Sequence, residues 1–160
     1  MAKEKDFREI RSVMNTRVTT LPRDASVFRA AKLMAKKYIS CVIITDGRKP
    51  AGMITERDML SRVMAKKLDP EKTTVEEVMS SPVMVVPPES ALVPTVELMK
   101  KKKIRRFAVV DETGVLIGLV TQTDILQGIV KLVKHLDWKL VTMKISVKDY
   151  LEKLKELRVL

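Results

Sequence analysis

The sequence contains an internal repeat, and this duplication restricts the fold more than any other feature. Val13-Met14 recurs 65 positions later as Val78-Met79, and several further pairs keep this offset. After one extra residue in a turn of the second copy, the offset becomes 66, which relates Gly52 to Gly118. A single insertion confined to a turn is typical of a true duplication. We therefore expect one supersecondary unit used twice, with a core shared between the halves.

Each copy has the residue pattern of a β-α-β-β-α unit. Runs rich in β-branched residues predict the strands, and apolar residues at helical spacing predict the helices. The first copy predicts strands at 18–21, 39–45 and 52–55, a helix capped by Asp24 or Ser26, a turn at Asp46-Gly47 and a second helix at 56–64. The second copy predicts strands at 83–86, 104–110 and 118–121, and helices at 91–101 and from residue 123 onward. The predicted fold class is mixed α/β, of the α+β kind.

Segments outside the repeats are expected to be largely helical. Asp6 to Met14 has apolar residues at helical spacing, and Thr74 to Glu77 has the spacing of a capping box. A second capping box opens a terminal helix at Ser146 to Leu157, whereas Trp138 to Ile145 fits either a helix extension or a strand. The predicted organisation is an N-terminal helical segment (1–11), repeat 1 (12–66), a linker (67–73), repeat 2 (74–130) and a basic helical tail (131–160).

The composition excludes several classes of protein. Apolar residues make up 46% of the 160 residues and charged residues 32%, which is enough to bury a core and unlike a disordered chain. Cys41 is the only cysteine, so neither a disulfide framework nor a cysteine-built zinc site is expected. No apolar run approaches the roughly 18 residues of a membrane span, and the charged start has no signal-peptide core. We therefore expect a soluble cytoplasmic protein.

The formal net charge of +11 predicts an anionic partner. It arises from 31 Lys and Arg against 20 Asp and Glu. Nucleic acid, an anionic membrane surface and a small phosphorylated ligand all fit such a charge. An aromatic content of 4% disfavours a platform that stacks bases on rings. Asn15 is the only Asn among abundant Lys and Glu, which is typical of thermophiles.

No motif of an enzyme is found in the sequence. The HExxH, GxSxG, Walker and GxGxxG patterns do not occur. His135 has apolar neighbours and fits a half-exposed helical residue, and Cys41 fits a small core or pocket residue because no base lies near it in the sequence. We therefore expect no catalytic residues and no metal site.

A repeated Gly-x-apolar-Thr-x-x-Asp motif is the feature that points to chemistry. It occurs at Gly52 to Asp58 and at Gly118 to Asp124, each time where a strand ends and a helix begins. Thr caps helices well, but capping alone leaves the Asp unexplained. A carboxylate in the first turn can accept both hydroxyls of a ribose, while nearby donors take phosphate.

The duplicated unit, the shared spacing from Val13-Met14 through Val18 to Pro22 and the Thr-x-x-Asp endings together resemble a tandem pair of CBS domains, named after cystathionine β-synthase. The resemblance covers roughly residues 12–130. It implies two repeats packed with pseudo-two-fold symmetry around two clefts, as in stand-alone CBS-pair proteins of archaea and bacteria. Such clefts commonly bind AMP, ADP, ATP or S-adenosylmethionine, with no other cofactor required. The resemblance implies a sensor rather than an enzyme.

The resemblance also implies the ligand-binding residues, in clefts built across the repeats. Asp58 and Asp124 match the ribose-binding acid of the family, and Thr55 and Thr121 match a hydroxyl that contacts phosphate or ribose. Asp58 is expected to act with Val83, Ile104, Arg105 and Arg106, and Asp124 with Thr16, Val18, Ile39, Ser40 and Cys41. Further candidates are Met53, Arg57, Met84, Thr19, Leu119 and Thr123.

The two implied clefts differ in charge. Arg57, Arg105 and Arg106 suit the Asp58 cleft to a di- or triphosphate, whereas Ser40 and Cys41 suit the Asp124 cleft to AMP or a less charged adenosine. A methionine also replaces one motif threonine in the second copy. The sequence therefore predicts unequal occupancy of the two clefts.

The leading hypothesis is an adenine-nucleotide sensor that forms a homodimer and signals to an unknown effector protein through a conformational shift. The alternative is a nucleic-acid-binding protein that uses its basic surface and tail, with or without modulation by a nucleotide. A third interpretation is an adaptor whose terminal helix docks a partner or the other protomer. The tail carries the basic residues Lys131, Lys134, Lys139, Lys144, Lys148, Lys153, Lys155 and Arg158.

Overall fold

The computed structural model describes residues 8–143, together with residues 152 and 155. Within this range the fold is mixed α and β, with two three-stranded sheets and five α-helices, as predicted. The predicted terminal helix at Ser146 to Leu157 lies outside the described residues, except for positions 152 and 155. None of the helices described is long and apolar enough to cross a membrane.

Repeat 1 forms the predicted β-α-β-β-α unit. Strand β1 runs parallel to β2, and β2 runs antiparallel to β3. Pro22 ends β1, which is an edge strand and so tolerates a residue without a backbone N–H. Of the two candidate caps, Ser26 opens α1 by accepting the backbone N–H of Arg29 at 3.2 Å. The elements are β1 (Thr20–Pro22), α1 (Val27–Lys37), β2 (Cys41–Asp46), β3 (Lys49–Thr55) and α2 (Glu56–Asp58), which continues as a π-helix (Met59–Met64).

Repeat 2 has the same order of elements. Its strands lie in the order β4-β5-β6, and β4 runs parallel to β5 with Val85 opposite Ala108. Of the alternatives left open for residues 138–145, the structure has helix as far as Met143. The elements are β4 (Val85–Val86), α4 (Leu92–Lys102), β5 (Arg106–Val110), β6 (Leu116–Thr121) and α5 (Gln122–Met143).

A short helix, α3 (Val75–Val78), joins the repeats and begins with the predicted capping box. The backbone N–H and the hydroxyl of Thr74 donate to Oε1 of Glu77 at 2.9 and 2.8 Å. Because these bonds favour the ionised carboxylate, they hold the pKa of Glu77 below its ordinary value.

The compact units of the chain do not coincide with the sequence repeats. The larger unit comprises residues 16–86 and 107–118. The smaller unit comprises residues 87–106 together with the described parts of its other two segments, 8–15 and 119–143. Each unit therefore combines pieces that the repeat boundaries assign to different halves.

In the larger unit, the end of the linker and the first residues of repeat 2 complete repeat 1. Thr74 pairs with Ser26 in an isolated bridge, and the N–H of Val27 donates to the carbonyl of Thr73 at 2.9 Å. Val75 and Val78 enter the same apolar core as the buried residues of α1, β2 and β3. The residues that begin the second repeat thus pack on the first.

In the smaller unit, the N-terminal segment takes the equivalent place beside repeat 2. Glu9 pairs with Ala91, 65 positions from Thr74 and Ser26 respectively, and the N–H of Ile10 donates to the carbonyl of Ser90 at 2.9 Å. Ile10 is fully buried. The leading segments of the two repeats are therefore exchanged within the chain.

This pairing corrects the predicted N-terminal helix at Asp6 to Met14. Within the described residues, only a 3-10 turn at Ile10–Ser12 forms, because Glu9 is extended and residues 8–11 bond to residues 88–92 rather than to a helical turn. Ile10 is buried, as the apolar pattern predicts, but the partner of its backbone N–H lies far along the chain.

We expect Gly128→Ala to destabilise the protein. Alanine in place of glycine normally favours a helix by about 1 kcal/mol. A Cβ on Gly128 of α5, however, would lie 2.4 Å from Cγ1 of Val13 and 3.2 Å from Cδ1 of Leu92. Overpacking of this kind costs about 1–3 kcal/mol, measured as the free energy of unfolding in urea. Gln127→Ala, an exposed neighbour in the same helix, is the control and should change little. A more stable Gly128→Ala variant would contradict this close approach.

Candidate functional site

The first candidate site is the Asp58 corner, residues 55–58, where β3 ends and α2 begins in the larger unit. The hydroxyl of Thr55 donates to Oδ2 of Asp58 at 2.7 Å and accepts the N–H of Asp58 at 3.2 Å. The backbone N–H of Thr55 donates to the same Oδ2 at 2.9 Å. Asp58 is a buried charged residue. These bonds orient the carboxylate and occupy Oδ2, so Oδ1 is the oxygen that can accept further bonds.

The second candidate site, the Asp124 corner (residues 121–124), has the same geometry in the smaller unit. Oδ2 of Asp124 accepts the backbone N–H of Thr121 at 2.8 Å and its hydroxyl at 2.7 Å. The Thr121 hydroxyl in turn accepts the N–H of Asp124 at 3.2 Å. The duplicated motif therefore produces the same carboxylate geometry twice.

The backbone beside the two corners is also equivalent. Met53 and Ser80 exchange backbone hydrogen bonds of 3.0 and 2.8 Å in the larger unit. Leu119 and Asn15, at the matching positions, exchange bonds of 2.9 and 2.8 Å in the smaller unit. Each corner thus has a segment from the other half of the sequence hydrogen-bonded next to its incoming strand.

Ser40 and Arg105 each lie next to the corner of their own repeat. The carbonyl of Ser40 accepts the N–H of Glu56 at 3.3 Å, and the carbonyl of Arg105 accepts the N–H of Gln122 at 2.9 Å. The resemblance paired these residues with the opposite corner. That cross-repeat pairing joins residues of both units and stays a prediction.

The predicted site residues are divided between the two units. The larger unit contains Thr16, Val18, Thr19, Ile39, Ser40, Cys41, Met53, Thr55, Arg57, Asp58, Val83 and Met84. The smaller unit contains Ile104, Arg105, Arg106, Leu119, Thr121, Thr123 and Asp124.

The exposure of these residues separates two groups. Cys41 and Met53 are buried in strands, so their side chains shape the protein beneath the Asp58 corner. Arg57, Arg105 and Thr123 are exposed, as a residue that meets a ligand from solvent must be. The threonine hydroxyls at the corners already donate to their own aspartates, so in this structure they orient the carboxylates.

Sequence reasoning missed Arg62, which differs between the repeats. Its NH2 group lies 3.3 Å from Oδ1 of Asp58, and its NH1 group donates to the carbonyl of Val78 at 2.7 Å. Position 128, the equivalent in repeat 2, is a glycine. The spacing of Asp58 and Arg62, four residues apart on a helix, was the signal that could have revealed this pair.

The tail on which the nucleic-acid alternative depends, residues 131–160, is described at 131–143, 152 and 155. Lys131 and Lys134 belong to the described part of α5 and are exposed. The side chain of His135 also lies outside the described residues, so its predicted half-exposure stays a prediction.

Comparison with protein-family models matches the CBS domain model twice, at residues 10–65 and 75–131. An uncharacterized protein of Methanopyrus kandleri is 37% identical over 110 residues, which are 69% of this chain and 56% of that protein. The CBS domain-containing protein YhcV of Bacillus subtilis is 30% identical over 116 residues, covering 72% of this chain and 81% of that protein. The chain thus spans little more than half the length of the first of these relatives.

Solved structures with CBS domains share the fold. A putative signal-transduction protein with CBS domains from Burkholderia ambifaria superposes with a TM-score of 0.68 at 32% identity, covering 72% of this chain and 85% of that one. A CBS domain protein from Pyrobaculum aerophilum, solved in complex with AMP, superposes with a TM-score of 0.66 at 24% identity, covering 72% and 88%.

We expect Thr121→Val to lower the free energy of unfolding by about 1 kcal/mol, because it removes the helix cap and one of the bonds that hold Asp124. Thr123→Val is the matched control, since it makes the same change at an exposed position two residues further on. Urea unfolding of both variants checks the difference. Equal losses would show that the cap does not carry the effect.

Proposed function

Because this chain belongs to the CBS domain family, we propose that it is a regulatory module that binds an adenine nucleotide, or S-adenosylmethionine, at its Thr-x-x-Asp corners. The observation that carries the proposal is the duplicated, oriented carboxylate at Asp58 and Asp124. The AMP complex of the structural neighbour from Pyrobaculum aerophilum supports the choice of ligand class. The module acts as a sensor and not as an enzyme.

The corner geometry suits a ribose. A cis-diol donates hydrogen bonds, and each aspartate keeps Oδ1 outside the bonds within its own corner. Arg57, exposed next to Asp58, provides a positive charge for a phosphate. We assign Thr123 the corresponding position beside Asp124, where it offers a hydroxyl instead of a charge. The proposed ligand is therefore held by an acceptor for its sugar and donors for its phosphates.

The remaining candidate residues belong to the same proposal. Ile39, Val83 and Ile104 are half-buried apolar residues that suit contact with an adenine ring. Arg105 and Arg106 would add charge for a di- or triphosphate at the Asp58 corner. We also propose that the bound ligand is contacted by the remaining candidates, Thr16, Val18, Thr19, Ser40, Met84 and Leu119.

Ligand binding at the corners would act directly on two helices. Asp58 lies in the first turn of α2, whose π-helical continuation places Val63 in the core of the larger unit. Asp124 lies in the first turn of α5. A ligand that binds one arrangement of these helices better than another shifts the population toward it, which is how the proposed sensor would signal.

Calorimetry with AMP, ADP, ATP and S-adenosylmethionine tests the proposal. Asp58→Asn and Asp124→Asn should each weaken binding at the altered corner by about 10- to 150-fold, because a charged hydrogen-bonding partner is lost. Glu56→Gln removes an exposed acid beside Asp58 and serves as the control, since Gln122 already occupies the equivalent position in repeat 2. The proposal fails if none of the four ligands binds below millimolar concentration and the aspartate variants change nothing.

We also propose that the protein forms a homodimer through exposed apolar residues on α5 and on the π-helix that continues α2. Leu60 and Met64 are each 65% exposed and lie four residues apart on one helical face. Leu126 and Val130, at the equivalent positions of α5, are 51% and 52% exposed. The same unpartnered pattern in both repeats favours a second copy of this chain, since a two-fold interface uses the same surface on both partners.

Sedimentation velocity tests the dimer. The double variant Leu60→Glu/Leu126→Glu should sediment as a monomer, because it buries charge in the interface. Tyr38→Glu, which changes a 98% exposed residue that has a lysine at the equivalent position, should keep the wild-type mass. A monomeric wild-type protein, or a double variant that remains dimeric, would rule out this surface.

A further inference from the structure

Arg62 ties the Asp58 corner to the segment that follows α3. Its NH1 group donates to the carbonyl of Val78 at 2.7 Å, and its NH2 group donates to the hydroxyl of Ser80 at 3.1 Å. The same NH2 group lies 3.3 Å from Oδ1 of Asp58. The Asp58 side chain is only 12% exposed, so this ion pair is largely shielded from water on the aspartate side. The guanidinium is thus held by several contacts at once.

The Asp124 corner has no such arginine. Gly128 stands at the position equivalent to Arg62, and a Cβ there would collide with Val13, the residue equivalent to Val78. Across the part of the chain that the structure describes, Asp124 forms no ion pair, and Thr121 supplies the hydrogen bonds to its carboxylate, both at Oδ2. The close approach of α5 to Val13 therefore leaves no room at position 128 for a side chain like that of Arg62.

The difference changes what a ligand must compete with at each carboxylate. An ionised carboxylate has about four acceptor positions on its two oxygens. At each corner Oδ2 takes two bonds from the threonine. Oδ1 of Asp124 is paired with no cation among the described residues, whereas the NH2 group of Arg62 lies 3.3 Å from Oδ1 of Asp58 as an ion pair. A diol that donates to Oδ1 therefore competes with a guanidinium at Asp58 and with no such group at Asp124.

We infer that Arg62 sets the order in which the two corners bind ligand, so that the Asp124 corner binds a ribose diol more tightly than the Asp58 corner. The inference rests on the proposed function and adds to it the residue that determines occupancy. A ligand at Asp58 must share the carboxylate with Arg62 or release Arg62 from Val78 and Ser80. The positive charge of Arg57, Arg105 and Arg106 therefore does not by itself make the Asp58 corner the tighter site for a monophosphate.

Calorimetric titration of the full chain with AMP tests the inference. Wild-type protein should show a tighter and a weaker site, and Asp124→Asn should remove the tighter one. In the Asp124→Asn background, Arg62→Ala should tighten the remaining site by about 2- to 10-fold, because one charged competitor for Oδ1 of Asp58 is lost. Arg23→Ala is the matched control in that background, since Arg23 is in the same unit, has the same 39% side-chain exposure and also forms ion pairs. Circular dichroism before each titration selects variants that are folded, and Arg62→Gln replaces Arg62→Ala if the alanine variant is not.

The outcomes separate this inference from the proposed function. If AMP binds but Asp58→Asn and Asp124→Asn weaken it equally, or if loss of Arg62 leaves the Asp58 site unchanged or weaker, the inference is overturned while the proposed function stands. If AMP and the other three ligands fail to bind wild-type protein and all variants, both are overturned. Binding that appears only after Arg62 is removed would also overturn the inference, because the Asp124 corner would then not be the tighter site.

Discussion

The backbone pairing between the segment before one repeat and the first helix of the other is the constraint on which the rest of this structure depends. The first N–H groups of a helix have no partner within it. Here Thr73 accepts from Val27 in the larger unit, and Arg8 accepts from Leu92 in the smaller unit. The same pairing buries Val75 and Val78 beside α1, and Ile10 is buried in the smaller unit. Further along the chain, it places Ser80 beside β3 and Asn15 beside β6, the strands that lead into the two corners. Core, helix starts and candidate sites therefore share one cause.

The corners show how one set of hydrogen bonds serves both stability and chemistry. Thr55 and Asp58 satisfy each other's backbone and side-chain groups, and Thr121 and Asp124 do the same. Each carboxylate is thereby oriented before any ligand arrives, which reduces the entropy that binding must spend on ordering. In this protein the aspartate carboxylate is both a part of the helix cap and the proposed acceptor for the ribose. A substitution at either aspartate therefore changes capping and ligand binding together.

Duplication makes the two corners alike in backbone and leaves them different in charge. Position 62 in the first repeat is an arginine that reaches Asp58, whereas position 128 in the second is a glycine packed against Val13. The sequence-based expectation compared Arg57, Arg105 and Arg106 with their counterparts and did not include position 62. An arginine that is already paired with the carboxylate weakens the binding of a diol there. An arginine that contacts a phosphate strengthens the binding of the nucleotide.

The sequence by itself determined the repeat, nearly all the helices and strands, the capping box at Thr74 and both Thr-x-x-Asp corners, because each depends on hydropathy period or hydrogen bonds between residues a few positions apart. The exchange of leading segments, and with it the loss of the predicted helix at Asp6 to Met14, was decided only by tertiary structure. A short segment with apolar residues at helical spacing can bury them as a helix or as a strand-like partner of a distant loop. The choice for residues 8–11 depended on free backbone groups at residues 88–92, which no local pattern reveals.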